Sequence, residues 1–213
     1  MGIQPILSIF LYITATLLMA ASLFNTIDKT KGKDIFIFFI GIIALALHAQ
    51  ILHQSIFLDV GFDFSFFNVI SIIGWLVALI VLVISIYQPI QQLLIILYPI
   101  AAITVLLEQF FPTQKIIEQS LSIGLRTHIL LSISAYSLLM IGTFQAIILS
   151  VQDRFLKTKQ ASKIIDILPP LQTMEKLLVQ IILVGFFLLS LSLTTGIVFV
   201  YDIFEQHLAH KTI

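Results

Sequence analysis

The stretch LRTHILLSISAYSLLMIG, Leu125 to Gly142, places a cation and an imidazole, Arg126 and His128, at the head of a run that carries no further charge before Asp153. Its apolar residues are continuous rather than alternating. It therefore reads as a helix crossing hydrocarbon, which needs about 20 mainly apolar residues, and not as a barrel strand. At about 100° per residue, His128, Ser132, Tyr136, Leu139 and Thr143 fall within an arc of about 80°, a mostly polar stripe along one face. Ser and Thr in such a stripe commonly hydrogen-bond to neighbouring helices. An imidazole at the mouth of the helix calls for a further reason.

The rest of the chain has the same character. Apolar residues make up 59% of the 213 and charged residues 10%, with a mean hydropathy of +1.11; soluble domains hold about 45–50% and 25%. These values define an integral membrane protein in contact with a lipid bilayer. Eleven Lys and Arg offset eleven Asp and Glu, so nothing in the net charge points to nucleic acid. With no Cys, disulfides, thiolate metal sites and CxxC redox chemistry are excluded. HExxH, P-loop and GxSxG motifs and paired intramembrane acids are also missing, so the sequence does not read as an enzyme.

Six runs, at about 5–24, 35–57, 66–87, 90–110, 128–151 and 177–201, predict an all-α bundle forming a single transmembrane domain over 1–213. The first Lys is Lys29, so the first run lacks the basic start of a cleaved signal peptide and reads as an anchor. Pro169 and Pro170 end whatever helix precedes them, and Leu171 leads directly into the sixth span. Eight of the eleven Lys and Arg lie in the loops after spans one and five or just ahead of span six, which places the N-terminus outside by the positive-inside rule. The last segment, DIFEQHLAHKTI, reads like the approach to another helix, as in a chain cut short.

On this topology all five histidines fall in the outer half or on the outer surface. His53 lies near the outer end of span two and His48 about 7.5 Å deeper, at 1.5 Å per residue, where an ionisable group usually faces a cavity, ligand or partner. His207 and His210 follow span six and read as solvated. Asn68 and Ser71 share a face of span three and suit a cap or a neighbour contact; Trp75 suits packing. Glu108, at the outer end of span four, is a candidate partner for Arg126.

The segments THILLSISAYSLLMIGTFQAIILSVQDRFLK, LPPLQTMEKLL and GFFLLSLSLTTG, with weaker support from ALALHAQ and FSFFNVISIIGW, resemble the cytochrome c assembly family of multi-pass, haem-handling membrane proteins, and within it the smaller bacterial branch. The resemblance runs along most of the chain. It implies a bacterial inner-membrane, non-enzymatic accessory protein in cytochrome c assembly, with haem and other cytochrome maturation proteins as partners. It further implies that His128 and His48 are ligands to haem iron in a cleft between spans two and five open to the outer face, with Arg126 beside the propionates. The tryptophan-rich loop of larger members has no counterpart in VYDIFEQHLAHKTI. A small-solute or ion transporter and a regulatory or scaffolding subunit are the other classes open to the sequence.

Overall fold

The computed structural model describes residues 2–23, 31–58, 61–88, 90–112, 116–118, 123–158 and 168–209, the last eleven as helical backbone only. The expectations resting on Lys29, Lys115, Lys159, Lys163, Lys211 and His210, and on the side chain of His207, lie outside the described residues. Six described helices are long and apolar enough to cross a membrane. They are α1 (Ile3–Leu23), α2 (Lys31–Ile56), α3 (Phe66–Tyr87), α4 (Leu94–Phe110, entered through a 3-10 turn at Gln91–Leu93), α5 (Ile123–Lys157) and α6 (Leu171–Ala209). The all-α spanning bundle read from the sequence is the fold.

Two boundaries differ from the sequence reading, for a common reason. Hydrophobicity marks the part of a helix within hydrocarbon, whereas backbone hydrogen bonding carries the helix on past it. So α5 begins at Ile123, and His128 sits more than a turn inside it rather than at its first residue. Likewise α6 starts at Leu171, directly after Pro169–Pro170, where the Pro170 carbonyl accepts from the amides of Thr173 and Met174. Across that start, Gln152 Nε2 donates to Pro169 O at 2.9 Å and the fully buried Gln145 donates through Nε2 to Met174 O at 2.8 Å. These two amides pin the foot of α6 to α5.

The sequence reading has no strands, yet the loop regions form a small antiparallel sheet in the order β1 (Phe57–Leu58), β2 (Gly61–Asp63), β3 (Ile116–Glu118). Phe57 pairs with Phe62, and Phe62 pairs with Ile117. Strands of two or three residues are too short to show a period of two in a sequence. The sheet closes one end of the bundle, the sheet end, which the charge pattern assigns to the outer face.

Packing divides the molecule. Helix α1 lies against α2 and α4, and α3 against α2 and α4, giving a four-helix core around Tyr12, Ala44, Ala78, Val81, Leu97, Tyr98 and Ala101. Helices α5 and α6 pack along each other, and α5 joins the core through α3. Lipid tails are as apolar as the helix surfaces, so close fit and hydrogen bonds, not water exclusion, select these contacts. One fit is decided by Gly41: a Cβ there would collide with Tyr98 Oη, so the Tyr98 ring of α4 reaches α2 as it does only because position 41 has no side chain.

Candidate functional site

His128 is partly buried and turned toward α6. Its Nδ1 lies 2.8 Å from the backbone carbonyl of Ser192, with Ser192 Oγ at 3.4 Å and Thr195 Oγ1 at 3.5 Å. A carbonyl only accepts, so Nδ1 carries the hydrogen and Nε2 is left with a lone pair. Among the described residues Nε2 has no hydrogen-bond partner. The ring reaches that carbonyl because Gly196 has no side chain: a Cβ there would stand 2.9 Å from Cε1 and 3.1 Å from Nδ1. Ser132, one turn along α5, accompanies the contact, donating to the His128 carbonyl at 2.8 Å and meeting Ser192 Oγ at 2.6 Å.

The polar stripe therefore works only in part. His128 and Ser132 face α6, but Tyr136 and Thr143 face outward, with Thr143 bonded to its own helix at Leu139 O. The ring orientation comes from α6. The sequence reading does not single out Ser192 or Gly196; the available signal is their spacing of four in LSLSLTTG, which puts a hydroxyl and a gap on one helix face.

His48 is fully buried in the four-helix core and uses both nitrogens. Tyr12 Oη lies 3.1 Å from Nδ1, and Ser71 Oγ lies 2.9 Å from Nε2. Ser71 in turn donates to Glu108 Oε2 at 2.5 Å. Because the Ser71 hydrogen goes to Glu108, Ser71 must accept from Nε2–H, and Nδ1 must accept from Tyr12. One direction runs through the whole chain, from Tyr12 through His48 and Ser71 to Glu108, across α1, α2, α3 and α4. The pairing of Glu108 with Arg126 considered from the sequence is not formed, since no ion pair to Glu108 exists among the described residues. Ser71 binds neighbours rather than capping α3, and Asn68 donates to Asp63 O at 3.1 Å and Ser55 O at 3.5 Å. Trp75 donates to Leu45 O at 2.9 Å.

Arg126 lies elsewhere again. With His53, Trp75, Phe57, Phe62 and Phe64 it lines a cavity of about 580 Å³ bounded by α2, α3, α5 and the sheet. It lies between the second and fifth spans, where the resemblance implies a cleft. The structure does not bring the expected ligands together in it: neither His128 nor His48 lines the cavity, and Arg126 and His128, two residues apart, point about 200° apart around α5. Its imidazole is that of His53, stacked on Phe57 at 5.0 Å between ring centres. No group of three or more His, Asp or Glu is placed to hold a metal ion among the described residues.

A family model described as cytochrome c assembly protein matches residues 36–213. The inner membrane protein YpjD of Escherichia coli K12 is 26% identical over 212 residues, covering 99% of this chain and 80% of that protein. The YpjD proteins of Escherichia coli strains CFT073 and O157:H7 match to the same degree. No solved structure matches the chain. The family match takes in α2 to α6 with the buried chain's His48, Ser71 and Glu108 and the α5–α6 contact at His128, and on that extent the chain belongs to the cytochrome c assembly family.

Proposed function

We propose that this multi-pass membrane protein is a non-enzymatic accessory of haem handling in the bacterial inner membrane, serving cytochrome c assembly, and that His128 offers its Nε2 to haem iron. Family membership supports the cytochrome c role. The observation that carries the ligand is the Nδ1–H contact to the Ser192 carbonyl at 2.8 Å. Metal-binding imidazoles almost always donate their other N–H to such an acceptor, which fixes tautomer and ring direction and makes the free nitrogen a better donor. When bound, haem would supply an iron for which His128 Nε2 would be the protein's ligand. The chain's own part is to hold the ring still and present the lone pair at the sheet end. His48 is left out of this ligand set because both its nitrogens are engaged.

A second reading places the macrocycle in the α2–α3–α5 cavity. It is favoured by the cavity's volume of about 580 Å³, its aromatic walls and the presence of both Arg126 and His53. There the guanidinium would meet the propionates and His53 would replace His128 as ligand. Absorption spectra of the detergent-purified protein, expressed with ample haem and measured oxidised and reduced, separate the two. Loss of the Soret band in His128→Ala with retention in His53→Ala supports the first reading, and the opposite pattern the second. Loss in His48→Ala with native folding would return His48 to the ligand set. A colourless, folded wild-type protein would refute haem binding and favour a scaffolding subunit.

A further inference from the structure

The chain that ends on Glu108 has no part in the haem reading, and its layout identifies a site of a different kind. Glu108 is 4% exposed, and its Oε1 is buried with no hydrogen-bond partner. The carboxyl receives the Ser71 hydroxyl at Oε2, and the Ser55 hydroxyl also lies within its reach. Facing it are Ser71 from α3 with His48 of α2 behind it, the Ser55 hydroxyl from α2, and Tyr12 of α1 beyond His48. Asp63 of the sheet takes the Ser65 amide at Oδ1 and the Asn68 side chain at its carbonyl. None of these neighbours is Lys or Arg. A bare carboxylate here would have its charge balanced by no cation, and the smallest ligand that balances it is a proton.

Among the described residues, the polar surroundings of Glu108 lead toward the sheet end. Ser55 and Gln109 line a polar cavity of about 300 Å³ together with Gln4 and Gln54, at the sheet end of α1, α2 and α4. In the other direction the chain stops. The Tyr12 hydrogen is committed to His48, and the next ring, Tyr98 at 5.4 Å between centres, has a buried hydroxyl with no partner. Around and below lie Leu45, Val77, Val81, Leu94 and Leu97, which carry no protons onward.

We propose that Glu108 is a proton-binding site loaded from the outer face through this polar cavity, and that the Ser71–His48–Tyr12 chain is its closed inner end, so that one proton is bound and released on the same side without crossing the membrane. The balance is simple: one proton passes from outer water to the Glu108 carboxylate, giving the neutral acid. Ser71, His48 and Tyr12 keep their hydrogens and hold Oε2 in place, and no proton leaves inward.

Infrared difference spectroscopy of the full chain in sealed proteoliposomes tests the proposal without haem, so its outcome is independent of the ligand reading. Lowering the outer pH is expected to raise one carboxylic C=O band that shifts in D2O, is absent from Glu108→Gln, persists in Asp63→Asn and moves in frequency in Ser71→Ala. Lowering only the inner pH is expected to leave it unchanged. A wild-type protein with no titrating carboxylic band, a band that survives Glu108→Gln, or one that follows the inner pH would overturn the proposal. Should Glu108→Gln fail to fold, Ser71→Ala decides: a titrating band at unchanged frequency would belong to another carboxyl.

Discussion

Replacing Gly196 by Ala should disturb His128 without weakening the fold. The new Cβ would stand 2.9 Å from Cε1, while ordinary contact begins at 3.4 Å, so the ring must retreat by about 0.5 Å. Retreat along the hydrogen bond would lengthen the Nδ1 contact with Ser192 O from 2.8 Å to about 3.3 Å, beyond the usual 3.2 Å limit. Losing that bond costs about 1 kcal/mol, and exchanging Gly for Ala inside a helix returns about as much, so the net stability change should lie within about 1 kcal/mol of zero. The tautomer, by contrast, is no longer fixed. With ¹⁵N-histidine labelling, wild-type His128 should show the hydrogen on Nδ1 alone and Gly196→Ala a mixture of tautomers. Haem affinity, if His128 is the ligand, should fall by about 10–100-fold, the usual effect of losing a supporting contact to a metal-binding imidazole. An unchanged tautomer in a folded Gly196→Ala protein would refute the reasoning. An unchanged haem affinity beside a changed tautomer would refute the ligand assignment alone.

In the four-helix core, Gly41→Ala should destabilise by about 1–3 kcal/mol by overpacking against Tyr98, and most of that loss should vanish in a Tyr98→Phe background. Tyr98→Phe alone should be neutral or mildly stabilising in thermal unfolding, because its buried hydroxyl has no partner to lose. Tyr12→Phe leaves His48 Nδ1 buried without its donor and should cost about 1–3 kcal/mol, read as a lower unfolding temperature with helix content retained. Because the chain has no Cys, Pro112→Cys and Lys157→Cys give clean single labels. An impermeant maleimide added to intact cells' outer face should reach the first and not the second, and the reverse would invert the orientation.

The spans were legible because a continuous apolar run has one stable form in lipid, and the break before α6 because Pro169 and Pro170 stop any preceding helix. The sheet was not, since its strands are two or three residues long and Gly61–Asp63 takes its second partner from Ile116–Glu118, more than fifty residues away. The site was legible as residue types rather than partners. A buried His48 needs hydrogen bonds, but nothing local says that Tyr12 and Ser71 supply them. Arg126 and Glu108 suggested an ion pair by charge alone, whereas helix phase sends one to the cavity and the other to Ser71. His128 was visible as an imidazole in need of an orienting group, and that group is a backbone carbonyl, which every residue possesses and no sequence marks.

The dependence of His128 on the Ser192 carbonyl has a consequence for biosynthesis. The ribosome completes α5 before it makes Ser192, so a nascent chain inserted as far as the fifth helix carries the imidazole but not the acceptor that sets its tautomer. The four earlier helices, with Tyr12, His48, Ser71 and Glu108 all synthesised by then, can already close their own polar chain. A chain made only as far as α5 therefore holds the imidazole without the acceptor that sets its direction.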